Sequence, residues 1–362
     1  MAAHETAILA QFSRLCLDKG LLQVCDDVKD GDRADGIADE TTLRENQIEP
    51  SRRFLQARRM DLPSALGQFE EAIQFRREKD ALRVYDRISV DDFEHTRKLY
   101  PHWTGRRDKQ GSPIVMLETV HLDQKAITHW HQTRQLSGQS SSPDMEQRAL
   151  AYFDYLTRFV FPLCSALQDR PLPSEPVTKA IYLIDGSSIC LRQAWNLRDF
   201  SQDVSWILAT CYPETIDRIF VSERVIGPWA FGLTCVQLCN PPSYFPKMWS
   251  MLKKFIDPVT AEKIVMLDPA DVYGTLNKYI HHDNIPVQFG GAFEFTHGML
   301  PDLCPVTRQT LRWSPPFNGT FPPGPIKWTE HARGQIKAVA IGTVDGVERG
   351  FDVATLDIEE EK

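Results

Sequence analysis

The chain has 362 residues, of which 42% are hydrophobic and 25% are charged, an ordinary balance for a globular protein. A chain of this length can bury a substantial core and form one large domain or two. Its formal net charge of −8 argues against a nucleic-acid-binding protein, because phosphate recognition requires a basic surface. The charge does not exclude transient contact with a membrane, since a local basic face can coexist with a negative total.

The N-terminal residues Met-Ala-Ala-His-Glu lack the charged region and the long apolar run of a signal peptide. The most apolar windows, such as Tyr152 to Leu167, contain charged residues, so none is expected to span a membrane. The eight cysteines are scattered, without a CxxC pair or a Cys/His cluster at zinc spacing. These features predict a soluble cytoplasmic protein with mostly reduced cysteines and no metal site.

The N-terminal part of the chain, residues 1–92, is predicted to form a small helical unit. Leu9 to Leu22 is amphipathic, and Asp61 before Leu62-Pro63 is typical of a helix start. The apolar face of this second helix is formed by Leu62, Leu66, Phe69 and Ile73. The polar face is formed by Glu70, Glu71, Arg76 and Arg77. The helices are expected to pack on the domain that follows.

From Tyr100 onward, apolar runs alternate with amphipathic segments. Strands are predicted at Ile114–Leu117, Ile181–Ile184, Arg218–Val221 and Ile264–Leu267. Helices are predicted at Met145–Leu167, Ala194–Thr210, Lys247–Phe255 and Asp271–Ile280. This alternation predicts an α/β domain over residues 93–303 with a sheet that is at least partly parallel. Residues 304–362 are predicted to be a C-terminal extension, a proline-rich strap followed by a hairpin.

No catalytic site is predicted. Ser187-Ser188 lacks the GxSxG pattern of a nucleophile elbow. His281-His282 has no acidic partner or third ligand at metal spacing, which favours a surface turn.

Several ordered motifs resemble the CRAL-TRIO lipid-binding family, and within it the phosphatidylinositol/phosphatidylcholine transfer type. The motifs are FLQARRMDL, YPHWTGRRDKQGSPIVMLE, IYLIDGSSI, CYPETID, DPVTAEKI and IPVQFGG, which together cover about residues 40 to 300. The resemblance implies a helical unit followed by an α/β lipid-binding fold, in which a mixed or parallel sheet and helices form a hydrophobic pocket. It implies non-enzymatic binding of phosphatidylinositol and its transfer between membranes, or its presentation to lipid-modifying enzymes.

The resemblance also implies a site for the phosphoinositol headgroup. Arg58, Glu214, Thr260 and Lys263 match the family positions that hold this group. The chemistry is reasonable, because cations neutralise a phosphodiester and a carboxylate can orient sugar hydroxyls. The alternative is a salt-bridged surface turn.

A mobile gate over the pocket is the second implied feature. The helix before the DPVT turn presents Phe245, Met248, Trp249, Leu252 and Phe255 at helical spacing. Lys253 and Lys254 would meet anionic lipid at the membrane surface. Periodicity alone favours the alternative interpretation, a helix whose apolar face packs against the core.

The implied ligand is a bound phospholipid, phosphatidylinositol in the first place, and no cofactor is expected. The implied protein is a monomer that contacts membranes transiently as a peripheral protein and has lipid kinases as candidate partners. Binding of phosphatidylcholine is doubtful, because Cys190 and Arg192 stand where small hydroxyl residues are expected. A sterol or another phospholipid is an alternative ligand, and a scaffold with a degenerate pocket is an alternative function.

Two segments interrupt the family pattern. Glu45 to Ser51 falls within an expected helix, where Pro50 would break a helix interior. Ser222 to Cys239 separates a strand from its expected turn at Asn240. Each is either a genuine insertion or an artefact of the gene model.

Overall fold

The computed structural model describes residues 2–24, 42–43, 49–134, 142–186, 195–222, 258–332 and 334–357. Its α-helices are α1 Ala2–Asp18, α2 Glu49–Ala57, α3 Leu62–Glu78, α4 Ala81–Arg87, α5 Val90–Leu99, α6 Gln124–Arg134, α7 Met145–Asp154, α8 Phe161–Ala166, α9 Arg198–Cys211, α10 Pro258–Glu262, α11 Val272–Leu276 and α12 Pro305–Thr310. A π-helix covers Tyr155–Val160, and 3₁₀ turns cover Thr119–His121, His282–Asn284 and Val287–Phe289.

The β-strands form one main sheet and smaller ones. The main sheet contains β3 His102–Arg107, β4 Pro113–Glu118, β5 Ala180–Asp185, β6 Ile216–Ser222 and β7 Ile264–Leu267. The others are β1 Gln23–Val24, β2 Thr42–Leu43, β8 Arg312–Trp313, β9 Ile326–Ala332, β10 Gln335–Ala340, β11 Thr343–Val344, β12 Val347–Glu348 and β13 Phe351–Asp357.

The N-terminal helices pack around the ring of Phe69. Phe12 of α1 and Phe54 of α2 both meet this ring edge-on, with centroid separations of 5.8 and 4.9 Å. Helix α3 begins as expected, because the Asp61 side chain accepts a hydrogen bond from the main-chain N–H of Ser64 at 3.0 Å. Pro50 lies in the first turn of α2, where a missing N–H is tolerated, so it does not break a helix interior.

The main sheet confirms the predicted α/β class. Its strands follow the order β3-β4-β5-β6-β7, and β3 is antiparallel to β4 while the other pairs are parallel. The turn from β3 to β4 is closed by Asp108, whose carboxylate accepts hydrogen bonds from the N–H groups of Gln110 and Ser112. Gly111 has a φ of +88°, a conformation that glycine adopts without steric cost.

The two faces of this sheet belong to different hydrophobic clusters. Successive side chains on a strand point to opposite faces, so Ile114 and Met116 lie on one face and Val115 on the other. The first face packs against Ile280 and Phe289, which follow β7 in the chain. The second face joins a larger core with α7 and the N-terminal helices. The sheet is therefore covered on both sides, as parallel strands require.

The predicted long helix from Met145 to Leu167 has a different local structure. It is divided into α7, the π-helix and α8, and Pro162 lies at the start of α8. Because proline has no N–H, the regular hydrogen-bond ladder cannot continue through this position.

Within the described residues no helix is both long and apolar enough to cross a membrane.

The C-terminal residues form an antiparallel sheet of order β8-β13-β10-β9, and the predicted hairpin runs of residues 337–344 and 351–356 contribute β10 and β13. The sheet contacts the helical layer at Trp328, whose indole N–H donates a hydrogen bond to the main-chain oxygen of Phe159 at 3.1 Å.

Helix α5 spans residue 92, the predicted boundary between the first two domains. The division into residues 1–92, 93–303 and 304–362 stays a prediction.

Candidate functional site

Three charged side chains stand immediately before three neighbouring parallel strands. Lys179 precedes β5, Glu214 precedes β6 by two positions, and Lys263 precedes β7. Because parallel strands begin at the same edge of a sheet, these side chains converge. Glu214 Oε2 lies 3.0 Å from Lys263 Nζ and 3.5 Å from Lys179 Nζ. The sheet edge therefore carries one carboxylate between two ammonium groups.

The turn after α10 holds Lys263 in place. Its main-chain N–H donates to the carbonyl of Thr260 at 3.1 Å, and its own carbonyl accepts from Ile219 of β6 at 3.0 Å. Thr260 lies half-buried one helical turn before Lys263. Thr260 thus contacts Lys263 through its main chain, and the role of Thr260, Lys263 and Glu214 in binding a headgroup stays a prediction.

Glu214 has a left-handed backbone, with φ at +58°. For a residue with a Cβ this conformation is sparsely populated and costs about 1–2 kcal/mol, so neighbouring contacts must maintain it. The Thr215 hydroxyl donates to the carbonyl of Tyr212 at 2.7 Å. The Thr215 carbonyl in turn accepts from the N–H of Ala180 in β5 at 2.9 Å. These contacts fix the loop that carries the carboxylate.

The same loop is anchored on the other side by a buried ion pair. The Arg76 guanidinium of α3 donates to both oxygens of Asp154 in α7, at 2.8 and 3.0 Å. The Tyr212 hydroxyl donates to Asp154 at 2.6 Å and accepts from Arg76 at 2.9 Å. The side chains of Arg76 and Asp154 are only 5% and 1% exposed. The loop before β6 is thus tied to the N-terminal helices.

This arrangement corrects the expected placement of Arg76. The helical pattern put Arg76 on the polar face of α3 together with Arg77, but the structure buries it. Helical spacing distinguishes an apolar face from a polar one, and it cannot show that a polar residue at the margin faces a buried partner. An aspartate within the aromatic-rich run of α7 was the available signal for such a partner.

The charge balance of the site favours an anion. Side-chain exposure is 15% for Glu214, 20% for Lys263 and 38% for Lys179. Two ammonium groups and one carboxylate leave a local charge of +1. An ammonium group has three N–H donors, and the contact with Glu214 occupies one donor of Lys263. The cluster can therefore bind an anionic group through charge-assisted hydrogen bonds.

Arg58 lies beside the junction of α2 and α3 and is exposed. In the described part of the chain its side-chain partner is Gln68, which accepts from Arg58 Nε at 2.8 Å, and not Glu214. Gln68 in turn donates to the carbonyl of Ala209 in the last turn of α9, which leads into the Glu214 loop. Through Gln68 the structure therefore links Arg58 to helix α9 and not to the cluster of Glu214, Lys263 and Lys179.

Sequence reasoning missed Lys179. Its signal was the same as that of Lys263, a lysine directly before a buried strand. The predicted gate side chains lie outside the described residues; these are Phe245, Met248, Trp249, Leu252 and Phe255. Cys190, Arg192 and residues 223–239 also lie outside them. The gate and the apolar pocket stay predictions.

Residues 233–291, which include Thr260 and Lys263, match the family model described as the CRAL/TRIO domain. The chain is 24% identical to the SEC14 cytosolic factor of Yarrowia lipolytica over 66% of its length and 42% of that protein. It is 23% identical to the SEC14 cytosolic factor of Candida glabrata, over 67% of this chain and 70% of that protein. These matches confirm the resemblance to the CRAL-TRIO family that the ordered motifs indicated.

The chain is also similar to a plant protein and, in structure, to a solved protein. The phosphatidylinositol/phosphatidylcholine transfer protein SFH9 of Arabidopsis thaliana is 23% identical over 68% of this chain and 37% of that protein. The chain thus spans less than half the length of the Yarrowia and Arabidopsis relatives. The crystal structure of Sfh5 aligns with a TM-score of 0.48 and 12% identity, over 75% of this chain and 82% of that chain.

Proposed function

We propose that this relative of the CRAL-TRIO proteins binds phosphatidylinositol and transfers it between membranes without catalysing a reaction. The observation that carries the proposal is the ion-paired cluster of Glu214, Lys263 and Lys179 at one edge of the parallel sheet. Two of these three residues belong to motifs that resemble the family, CYPETID and DPVTAEK. Relatives at about one quarter identity include proteins named for phosphatidylinositol/phosphatidylcholine transfer.

Each side chain has a role that fits the headgroup. The ammonium groups of Lys263 and Lys179 neutralise the phosphodiester, which carries one negative charge. Glu214 accepts hydrogen bonds from inositol hydroxyls while keeping Lys263 in position. Thr260 adds a hydroxyl one helical turn away, and Arg58 contributes from the N-terminal helices. The phospholipid is the ligand, and no cofactor takes part.

The alternative of an ordinary surface ion pair predicts greater exposure. The side chains of the surface pair Arg83 and Asp80 are 66% and 58% exposed. Those of Lys263 and Glu214 are 20% and 15% exposed. Partial burial strengthens charge interactions and limits competition by water, which favours a recess that receives a ligand over a solvated turn.

The cellular setting of the proposal follows from this activity. A transfer protein leaves the membrane with its lipid, so we propose a cytoplasmic monomer that is peripheral on membranes. The helix before Asp257 would form the gate, with Lys253 and Lys254 at the membrane surface. Lipid kinases are the proposed recipients of the bound phosphatidylinositol.

Paired vesicle-transfer assays with phosphatidylinositol and phosphatidylcholine test this function. Loss of a charge-assisted phosphate contact costs about 1.5–3 kcal/mol, or roughly ten- to a hundredfold in affinity. Lys263→Ala should therefore impair phosphatidylinositol transfer strongly. Glu214→Ala should impair transfer of the inositol lipid more than that of the choline lipid. The control is Lys278→Ala, which removes an exposed lysine of the same domain.

A wild-type rate of phosphatidylinositol transfer in folded Lys263→Ala would reject the headgroup site. Mass spectrometry of lipids that copurify with the protein identifies the ligand directly. A sterol or a different phospholipid as the dominant species would replace phosphatidylinositol in the proposal. Absence of any bound lipid, together with no transfer, would favour a scaffold with a degenerate pocket.

A further inference from the structure

A cluster of two histidines and one glutamate lies away from the lysine-rich edge. Glu118 is the last residue of β4, His121 ends the 3₁₀ turn that follows, and His297 comes from the segment after β7. Glu118 Oε2 lies 3.5 Å from His121 Nε2, and the imidazole rings of His121 and His297 have centroids 3.9 Å apart. One side-chain ligand atom from each residue lies within 4.8 Å of the other two.

We propose that Glu118, His121 and His297 bind a divalent transition-metal ion of the Zn²⁺ class. Two imidazole nitrogens and a carboxylate oxygen are a common donor set for such ions, with water at a remaining position. Hard ions such as Mg²⁺ and Ca²⁺ prefer sites made of oxygen atoms, so the two histidines disfavour them. Along the chain His297 is far from the other two residues, which explains why residue spacing did not indicate this site.

The distances fit a metal site after one local movement. In a tetrahedral zinc site with bonds of about 2.0–2.1 Å, ligand atoms are separated by roughly 3.3–3.5 Å. The 3.5 Å between Glu118 and His121 already meets this condition. The two rings are nearly parallel, at 14°, whereas a metal must lie close to the plane of each ring. Metal binding therefore requires rotation of the His121 ring, whose side chain is 46% exposed, so that the lone pairs of both rings point toward one ion.

His297 is prepared for this role by its surroundings. Its Nδ1 atom is buried, and the main chain of Lys98 offers it only a hydrogen bond of poor geometry. The positive charges of Lys98 and Arg97 lie near the ring. Arg97 is itself paired with Glu94 at 2.6 Å, which reduces its repulsion of a cation.

The carboxylate of Glu118 is oriented by Gln288, a residue that does not belong to the proposed ligand set. The Gln288 side-chain amide donates to Glu118 Oε1 at 3.3 Å, and the opposite oxygen faces His121. Such a contact from a neighbouring residue fixes the direction of a ligand and is commonly worth ten- to a hundredfold in metal affinity.

The site is separate from the proposed lipid headgroup site. Glu118 pairs in register with Asp185, the last residue of β5, so it lies at the carboxyl ends of the parallel strands. Lys179 and Lys263 precede their strands and lie at the opposite edge. Metal binding can therefore be tested without reference to lipid transfer, and failure of either proposal leaves the other intact.

The experiment uses the full chain without an affinity tag, freed of metal with a chelator and titrated with Zn²⁺ in a calorimeter. The expected result is about one saturable site per chain and a higher thermal midpoint, because a ligand of the native state stabilises it. His121→Ala and Glu118→Gln should weaken the affinity by at least tenfold. The matched control is the double variant His95→Ala and His129→Ala, which removes a different neighbouring pair of exposed histidines.

The same titration with Co²⁺ identifies the donor atoms by absorption. Weak ligand-field bands without thiolate charge transfer, lost in His121→Ala, would support the site. A thiolate charge-transfer band would assign the metal to cysteines and overturn the proposal. Absence of saturable Zn²⁺ binding in the wild type would also overturn it, as would equal affinity in folded His121→Ala and Glu118→Gln.

Discussion

The carboxylate of Glu214 lies 3.0 Å from the ammonium group of Lys263, although the two residues are 49 positions apart in the chain. Each stands just before a parallel strand, and β6 and β7 are neighbours. The pair therefore results from the order of the strands, since any two residues at the starts of adjacent parallel strands are brought together. Lys179, before β5, joins them for the same reason.

Lys179 should contribute less to phosphatidylinositol binding than Lys263. It is more exposed and lies farther from Glu214, so water competes more strongly for its charge. Lys179→Ala is expected to reduce phosphatidylinositol transfer by up to about fivefold, corresponding to at most about 1 kcal/mol. The measurement is the vesicle-transfer assay with Lys278→Ala as control. A loss as large as that of Lys263→Ala would contradict this ranking.

The predicted gate provides a test outside the described residues. Phe245→Asp and Trp249→Asp place charges in what should be an apolar contact, and such a burial is costly. The double variant should slow lipid transfer between vesicles, while circular dichroism should show an intact fold. An unchanged transfer rate in the folded double variant would mean that this helix serves only as part of the core.

The buried pair of Arg76 and Asp154 should dominate the stability of the junction with the N-terminal helices. Removing one partner of a buried ion pair leaves an uncompensated charge, which costs about 3–5 kcal/mol. Arg76→Leu is therefore expected to lower the free energy of unfolding, measured in urea, by about that amount. Arg83→Leu, which removes an exposed pair with Asp80, should change it by less than about 1 kcal/mol. Similar effects of the two substitutions would contradict the structure.

Acid should destabilise the fold through His102. This side chain is buried, and burial lowers its pKa from 6.5 to about 3, with Arg97, His297 and Lys98 adding repulsion. Its Nδ1 faces the carbonyl of Tyr100, while its Nε2 accepts from the N–H of Gly298 at 3.2 Å. The neutral ring satisfies both contacts, whereas protonation of Nε2 would remove the acceptor.

Between pH 6.5 and about 3 the unfolded chain therefore binds a proton at His102 that the folded protein does not. The free energy of unfolding should fall as the pH falls through this window, by about 1.4 kcal/mol per pH unit from this residue, and be unaffected by it at higher pH. Urea unfolding at several pH values measures the slope. His102→Gln should flatten it and His331→Gln, at an exposed position, should not. An equal slope in His102→Gln and wild type would show that other groups cause the acid sensitivity.

The sequence by itself determined the local elements and the class of the fold. Short apolar runs predicted β4, β5, β6 and β7, and Asp61 with Pro63 predicted the start of α3. These signals are local, because a strand or a helix start depends on residues within a few positions of one another. The family resemblance implied a shared site for Glu214, Thr260 and Lys263. In the structure Lys263 contacts the carboxylate of Glu214 and the carbonyl of Thr260, and the role of the three residues in headgroup binding stays a prediction.

Only the tertiary structure decided the contacts between distant residues. The burial of Arg76 depends on Asp154 in another helix, and the approach of Lys179 depends on which strands are neighbours. The cluster of Glu118, His121 and His297 depends on the segment that follows β7, the last strand of the main sheet. This segment brings His297 back to the end of β4. Residue periodicity indicates which side of a helix or strand is buried. The residue that it packs against is determined by strand order and helix packing, which a local sequence pattern does not predict.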